Sequence, residues 1–230
     1  MSTRESEIAA NLAAVRARIA AACVASDRGP DEVRLVAVTK TWPPEDIDIL
    51  ADLGVRDVGE NRDQDAAAKA VLRPDLRWHF LGGIQTNKAR RIATYASVVH
   101  SLDRDVLVPQ LSKGATEAGR TLDVLIQVSI DGDPNRGGAQ AADVVALADA
   151  AAEAEALRPA GVMAVAPLDW EPARAFELLS QVSMRLVAAH PGATEVSAGM
   201  SGDLETAIAH GSTMVRVGGA LFGVRKPDVR

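Results

Sequence analysis

Val33-Arg34-Leu35-Val36-Ala37-Val38, running straight into Thr39-Lys40 and then Pro43-Pro44-Glu45-Asp46, is the stretch on which the fold turns. A short β-branched apolar run reads as a buried strand. Prolines followed by two acids read as a helix start. A strand that ends on a lysine and hands over to a helix is one β/α unit.

The same unit recurs downstream. Asp57-Val58-Gly59 precedes a helix from Asn61, Arg77 to Leu81 precedes one beginning near Thr86, and Ser97 to His100 precedes one after Asp103. Asp123 to Val128 is the clearest strand, and the Gly-rich loop Asp131 to Gly138 leads from it into an Ala-rich helix over 140–154. Pro159 to Met163, Thr194 to Ser197 and Thr213 to Val217 complete a set of eight strands. Upstream, Ile8, Leu12, Val15 and Ile19 fall at helical spacing within residues 5–25, so an additional helix opens the chain before the Gly29-Pro30 breaker. Alternating strands and helices mean parallel strands with helices outside. Eight units predict a closed (β/α)8 TIM barrel, and no linker or composition shift divides residues 1–230, so one domain is expected.

Bulk properties narrow the function. The net charge of −6 argues against a nucleic-acid or anionic-membrane surface. One cysteine, Cys23, leaves no disulfide framework or cysteine-rich metal site, and the four histidines lie on separate segments. His100 and His210 read as structural or solvent-facing. Arg16 and Arg18 interrupt the first helix, so neither a signal peptide nor a membrane span is expected, and the expectation is a cytoplasmic monomer.

In a parallel barrel the strand C-terminal ends gather at one face, and that face carries the site. The polar residues just after the apolar runs are Lys40, Glu60-Asn61, His79, Ser101 with Asp103, Ser129 with Asn135-Arg136, Ser197 to Ser201, and Arg216 with Gly218-Gly219. Lys40 follows a buried strand. It reads either as a lysine snorkelling to the surface or as a partly desolvated amine suited to imine formation with an aldehyde. Ser201, ahead of Leu204-Glu205, reads as a helix N-cap whose free amides suit a phosphate. Gly218 and Gly219 allow close approach of backbone amides to an anion. An amine opposite an anion cradle fits pyridoxal 5'-phosphate; a phosphorylated aldose in a Schiff-base aldolase is the competing fit.

These residues also resemble a known family, the YggS/PROSC-type pyridoxal phosphate homeostasis proteins, which share the barrel of the alanine racemase N-terminal domain. The resemblance rests on Leu35 to Thr41, Val58 to Asn61, Trp78 to Gly82 with Gln85 to Lys88, Gly161 to Met163, Ser197 to Asp203, and the long run Ala207 to Gly218. It implies Lys40 as the imine lysine. Met200, Ser201, Gly218 and Gly219 would lie about the phosphate. Arg216 would face the pyridine nitrogen, and Asn61 and His79 would lie around the ring. An arginine stays protonated, so the ring nitrogen would carry no proton and the ring would be a weak electron sink. Four positions depart from the family pattern. Ala198 stands for a Met, Gly83 follows Gly82 where Pro is usual, Gly219 replaces a Thr or Ser, and Arg136 replaces a Lys. Two-base racemisation needs a tyrosine opposite the lysine, and the one tyrosine, Tyr95, reads as a packing residue. The implied role is therefore a carrier or regulator of pyridoxal phosphate that serves apo-enzymes without catalytic turnover.

Overall fold

A computed structural model describes residues 2–133 and 136–223. Asn135, named above among the strand-end polar residues, lies outside them. Eight parallel strands form a closed barrel in sequence order: β1 (Arg34–Val38), β2 (Asp57–Glu60), β3 (Arg77–Phe80), β4 (Val98–Leu102), β5 (Leu122–Gln127), β6 (Leu157–Met163), β7 (Glu195–Ser197) and β8 (Met214–Val217). β8 returns to β1 with Ala37 opposite Val217, which closes the ring. The helices are α1 (Thr3–Ala25), α2 (Pro44–Asp52), α3 (Asp63–Leu72), α4 (Thr86–Tyr95), α5 (Val108–Glu117), α6 (Val144–Glu153), α7 (Pro172–Ala189), α8 (Leu204–Ala209) and α9 (Gly219–Phe222). The eight-strand barrel and the extra leading helix are those expected from the sequence.

Alternation along each strand divides the side chains. Ala37, Val58, Trp78, Val215 and Val217 face outward and pack against helices, together with Ile8, Leu12, Val15 and Ile19 of α1. Val36, Val98, Leu125, Ala160, Met163 and Met214 point inward and form a thin apolar layer inside the barrel. Below that layer, a charged residue stands at the first or second position of six strands. Arg34 bonds Glu195 at 3.3 Å, while Arg77 and Arg158 hold Asp123 at 2.8 and 2.7 Å. Going round the lower mouth, Arg34, Asp57, Arg77, Asp123, Arg158 and Glu195 alternate in sign.

Several local expectations need correction. The helix placed from Asn61 starts at Asp63, and the Ala-rich helix starts at Val144 because a turn closed by Asp143 N–H on the Gln140 carbonyl precedes it. Ser201 does not cap α8. Asp203 is the N-cap, and its carboxylate turns back to accept from the Met200 amide at 2.6 Å. The expectation of no spanning segment also fails on length and composition, since α1 is long and apolar enough to cross a membrane. Its apolar stripe is spent on the barrel wall instead, with Ile8, Leu12, Val15, Ile19, Ala22 and Cys23 all buried.

α1 also acts as a strap across the loops that follow β7 and β8. Arg18 donates to the Ser201 carbonyl at 2.9 Å, Asn11 to Leu221 at 3.0 Å, and Arg4 to Phe222 at 3.0 Å. Arg4 also lies over Trp42, which stacks on Phe222 with ring centroids 5.1 Å apart. The segment after β1 and the short helix after β8 are thereby joined.

Candidate functional site

The upper rim brings most of the sequence-derived residues together. Because β8 pairs with β1, the run Val38-Thr39-Lys40 lies alongside Gly218-Gly219, and a Cβ on Gly218 would come within 3.1 Å of the Val38 carbonyl oxygen. Because β7 pairs with β8, the Met200-Ser201 loop flanks the other side, and the Arg216 amide donates to the Gly199 carbonyl at 2.9 Å. Asn61 directly follows β2, next to β1, and is half-buried. Its carbonyl is passed so closely by Gly82 that a Cβ there would sit 2.1 Å from it. Only glycine fits at 82.

Lys40 is exposed, which agrees with the reading of a lysine snorkelling to the surface and not with that of a partly desolvated amine. Its amine has no hydrogen-bond or ionic partner among the described residues. Thr41 follows in the left-handed region at φ 68°, a position a β-branched residue seldom adopts without constraint. The constraint lies behind the strand. Lys69 Nζ donates to the Thr39 carbonyl at 2.9 Å and pairs with Glu60 Oε1 at 2.5 Å, and Thr39 Oγ1 donates to the same carboxylate oxygen at 2.9 Å. Glu60 and Thr39 are fully buried, and Glu60 Oε2 has no partner. This charged clamp fixes the backbone that presents Lys40.

Two groups of amides face the same rim. The N–H groups of Ser201 and Gly202, and of Gly219 and Ala220 at the start of α9, have no acceptor among the described residues. Space above them is open, since a Cβ on Gly202 or Gly219 would meet nothing within 4 Å. Met200 is exposed beside them. Unspent amides at the seventh and eighth strand ends suit an anion.

Arg216 is buried beneath this rim with no carboxylate in contact. Its Nη1 donates to the Ser197 carbonyl at 2.7 Å and to Ser197 Oγ at 2.6 Å, and its Nη2 donates to the Ala164 carbonyl at 2.9 Å. Of five N–H donors two stay unspent. Burial pushes its pKa down to about 10, so it is still a cation at neutral pH. A buried cation with free donors calls for an acceptor above it.

His79 is not at the rim. It is 1% exposed, with Nε2 on Asp57 Oδ1 at 2.9 Å and Nδ1 on His100 Nε2 at 2.8 Å, so it has no ring nitrogen to offer a ligand. The expectation that it lies around a bound ring is revised: it stands behind Arg216, reached through His100 and Ser197. His100 Nδ1 meets Ser197 Oγ at 2.9 Å. His100 is fully buried, so of the two bland readings given to it the solvent-facing one is wrong. His210 bonds the Thr206 carbonyl of its own helix at 2.7 Å. Tyr95 packs at the end of α4 and donates to Asp63 at 3.3 Å on the outer side of the barrel.

The roles of Asp57, His100 and Lys69 escaped the sequence reading, and Glu60, named there as a strand-end polar residue, was not foreseen as the buried partner of Lys69. Two signals could have found the first pair. His79 and His100 both fall on inward positions of adjacent strands, and Asp57 opens its strand two residues before Gly59, the ladder partner of His79.

Residues 7–226 match the family described as alanine racemase, N-terminal domain. The chain is similar to a pyridoxal phosphate homeostasis protein of Corynebacterium glutamicum, 45% identical over 92% of this chain and 99% of the relative. It is likewise similar to one of Mycobacterium tuberculosis, 42% identical over 97% and 95%. Among solved structures, PipY of Synechococcus elongatus with PLP bound superposes with a TM-score of 0.81 at 34% identity, over 94% of this chain and all of that one.

Proposed function

Since the chain belongs to the pyridoxal phosphate homeostasis proteins, within the family of the alanine racemase N-terminal domain, we propose that it binds pyridoxal 5'-phosphate at the upper rim and serves vitamin B6 homeostasis as a single domain. One observation carries this reading: a partner-free amine at Lys40 stands beside two sets of unspent amides, above a buried guanidinium with two N–H groups still unspent. Those three features fit the three reactive ends of the ligand, which are an aldehyde, a phosphate and a pyridine nitrogen.

In this reading Lys40 holds the aldehyde carbon. Ser201, Gly202, Gly218 and Gly219 receive the phosphate, with Met200 at its edge. Arg216 donates to the ring nitrogen, and Asn61 borders the ring from β2. When bound, the group supplies an electron-withdrawing ring on the amine of Lys40. A guanidinium has no proton acceptor and stays charged, so it leaves the ring nitrogen unprotonated and the ring a poor sink for carbanions.

Carriage without turnover is the favoured role. The names of the relatives describe homeostasis, and Tyr95 is engaged with Asp63 away from Lys40, leaving no tyrosine of this chain to serve as a second base. The partners are then pyridoxal phosphate and the apo-enzymes that receive it, and the protein acts in the cytoplasm as a monomer.

The test is the visible spectrum of purified protein mixed with pyridoxal phosphate, before and after borohydride, with mapping of the labelled peptide. A yellow protein whose label maps to Lys40, and a colourless Lys40→Ala variant, are expected. A label elsewhere, or colour that survives Lys40→Ala, refutes the assignment. Sustained racemisation of alanine would refute the non-catalytic role.

A further inference from the structure

Arg216, Ser197, His100, His79 and Asp57 form a continuous hydrogen-bonded file that crosses the barrel interior from β8 and β7 to β4, β3 and β2. The direction of every proton in it follows from its two ends. An arginine can only donate, so Nη1 donates to Ser197 Oγ. Ser197 then has one proton, and its remaining partner is His100 Nδ1 at 2.9 Å. That nitrogen is therefore an acceptor, and the proton of His100 sits on Nε2, facing His79 Nδ1 at 2.8 Å. The proton of His79 is in turn on Nε2, facing Asp57 Oδ1 at 2.9 Å. A carboxylate only accepts, so the lower end requires the same direction as the upper end.

We propose that Asp57, His79, His100 and Ser197 are positioning residues for Arg216, a one-way file of donors that ends on a carboxylate and aims the guanidinium. The inference rests on the ligand reading given above and extends it below the rim. Each dipole in the file turns its negative end toward Arg216, and aligned hydrogen bonds polarise one another. Asp203 acts on the buried guanidinium through space without touching it, and the file adds a hydrogen-bonded link to a second carboxylate, Asp57, across the barrel.

A charged histidine would break the file. An imidazolium at either ring would reverse the bond to Ser197 and leave the serine proton without an acceptor in a fully buried position. The groups facing the two rings add to this. Arg34, 4.0 Å from Asp57, together with Arg77 and Arg216 discourage a further cation, and Asp57 alone favours one. Burial holds both rings below the ordinary histidine value.

Nitrogen NMR of the labelled histidine rings in the ligand-free protein tests the file directly. His79 and His100 should both be neutral Nε2–H tautomers from about pH 6 to 8. An Nδ1–H tautomer or an imidazolium at either ring overturns the proposal. Ser197→Ala should speed solvent exchange of the Arg216 guanidinium protons and weaken pyridoxal phosphate binding, each about 10-fold or more, as loss of a hydrogen bond to a charged group implies. Label should still form on Lys40 in that variant. Unchanged exchange and unchanged affinity together would refute the hold on Arg216. Failure of the wild-type protein to take label on Lys40 would instead defeat the ligand reading, while tautomers and exchange still decide whether the file exists.

Discussion

Gly219→Thr should tighten the grip on pyridoxal phosphate. Gly219 opens α9, where its amide has no acceptor among the described residues, and a Cβ built on it meets nothing within 4 Å. Its backbone lies outside the left-handed region, so a side chain introduces no strain. A hydroxyl at that position can donate to the phosphate. One hydrogen bond to a charged group contributes about 1.5–3 kcal/mol. Ordering a short side chain costs a fraction of that, and replacing glycine at a compatible site stabilises the fold by about 0.4–1 kcal/mol. The net expectation is a dissociation constant lower by about 10-fold or more. Absorbance titration of the ligand-free protein measures it, with thermal unfolding as a control and Gly219→Ala as the variant that adds a Cβ without a hydroxyl. Equal or weaker binding by the threonine variant, with unfolding temperature undiminished, would refute the placing of the phosphate at this loop.

Two further outcomes follow from buried charge. Lys69→Met strands the Glu60 carboxylate in a fully buried position and should cost about 3–5 kcal/mol in urea unfolding, with most of it regained when Glu60→Gln is added; a loss below about 1 kcal/mol would show that the clamp behind Lys40 is not an ion pair in solution. His79 and His100 are held neutral in the folded state, so the unfolded chain binds more protons below the ordinary histidine value. Stability should thus be full above about pH 6.5 and decline as pH falls toward the depressed folded values, by about 1.4 kcal/mol per pH unit for each ring. Urea midpoints that stay level through that window would contradict it.

The barrel was legible because its signal is repeated. Each apolar run is short and β-branched and is followed by helix-forming sequence, and Ile8, Leu12, Val15 and Ile19 mark α1 by period alone. The rim was legible too, because polar residues placed just after such runs can reach only one face. What the sequence hid was pairing across the barrel. Nothing local in His100 says that it will meet Ser197, 97 positions away. Asp57 and Lys69 look like ordinary solvated charge until the closed sheet buries their neighbours. Ser201 was misread for a related reason: a serine before an apolar run suggests a cap, but the Asp203 side chain closes the turn on Met200 first. The exposure of Lys40 was likewise undecided, because a strand-end lysine looks the same in sequence whether it is covered or bare.

The alternating ring of charges at the lower mouth, with the apolar layer above it, gives the barrel a floor. If the ligand is held at Lys40 as proposed, it has no back exit, so arrival and departure share one doorway. Any acceptor that takes the cofactor directly has to dock over the face through which loading occurs, and free ligand in solution then competes with hand-over for the same threshold.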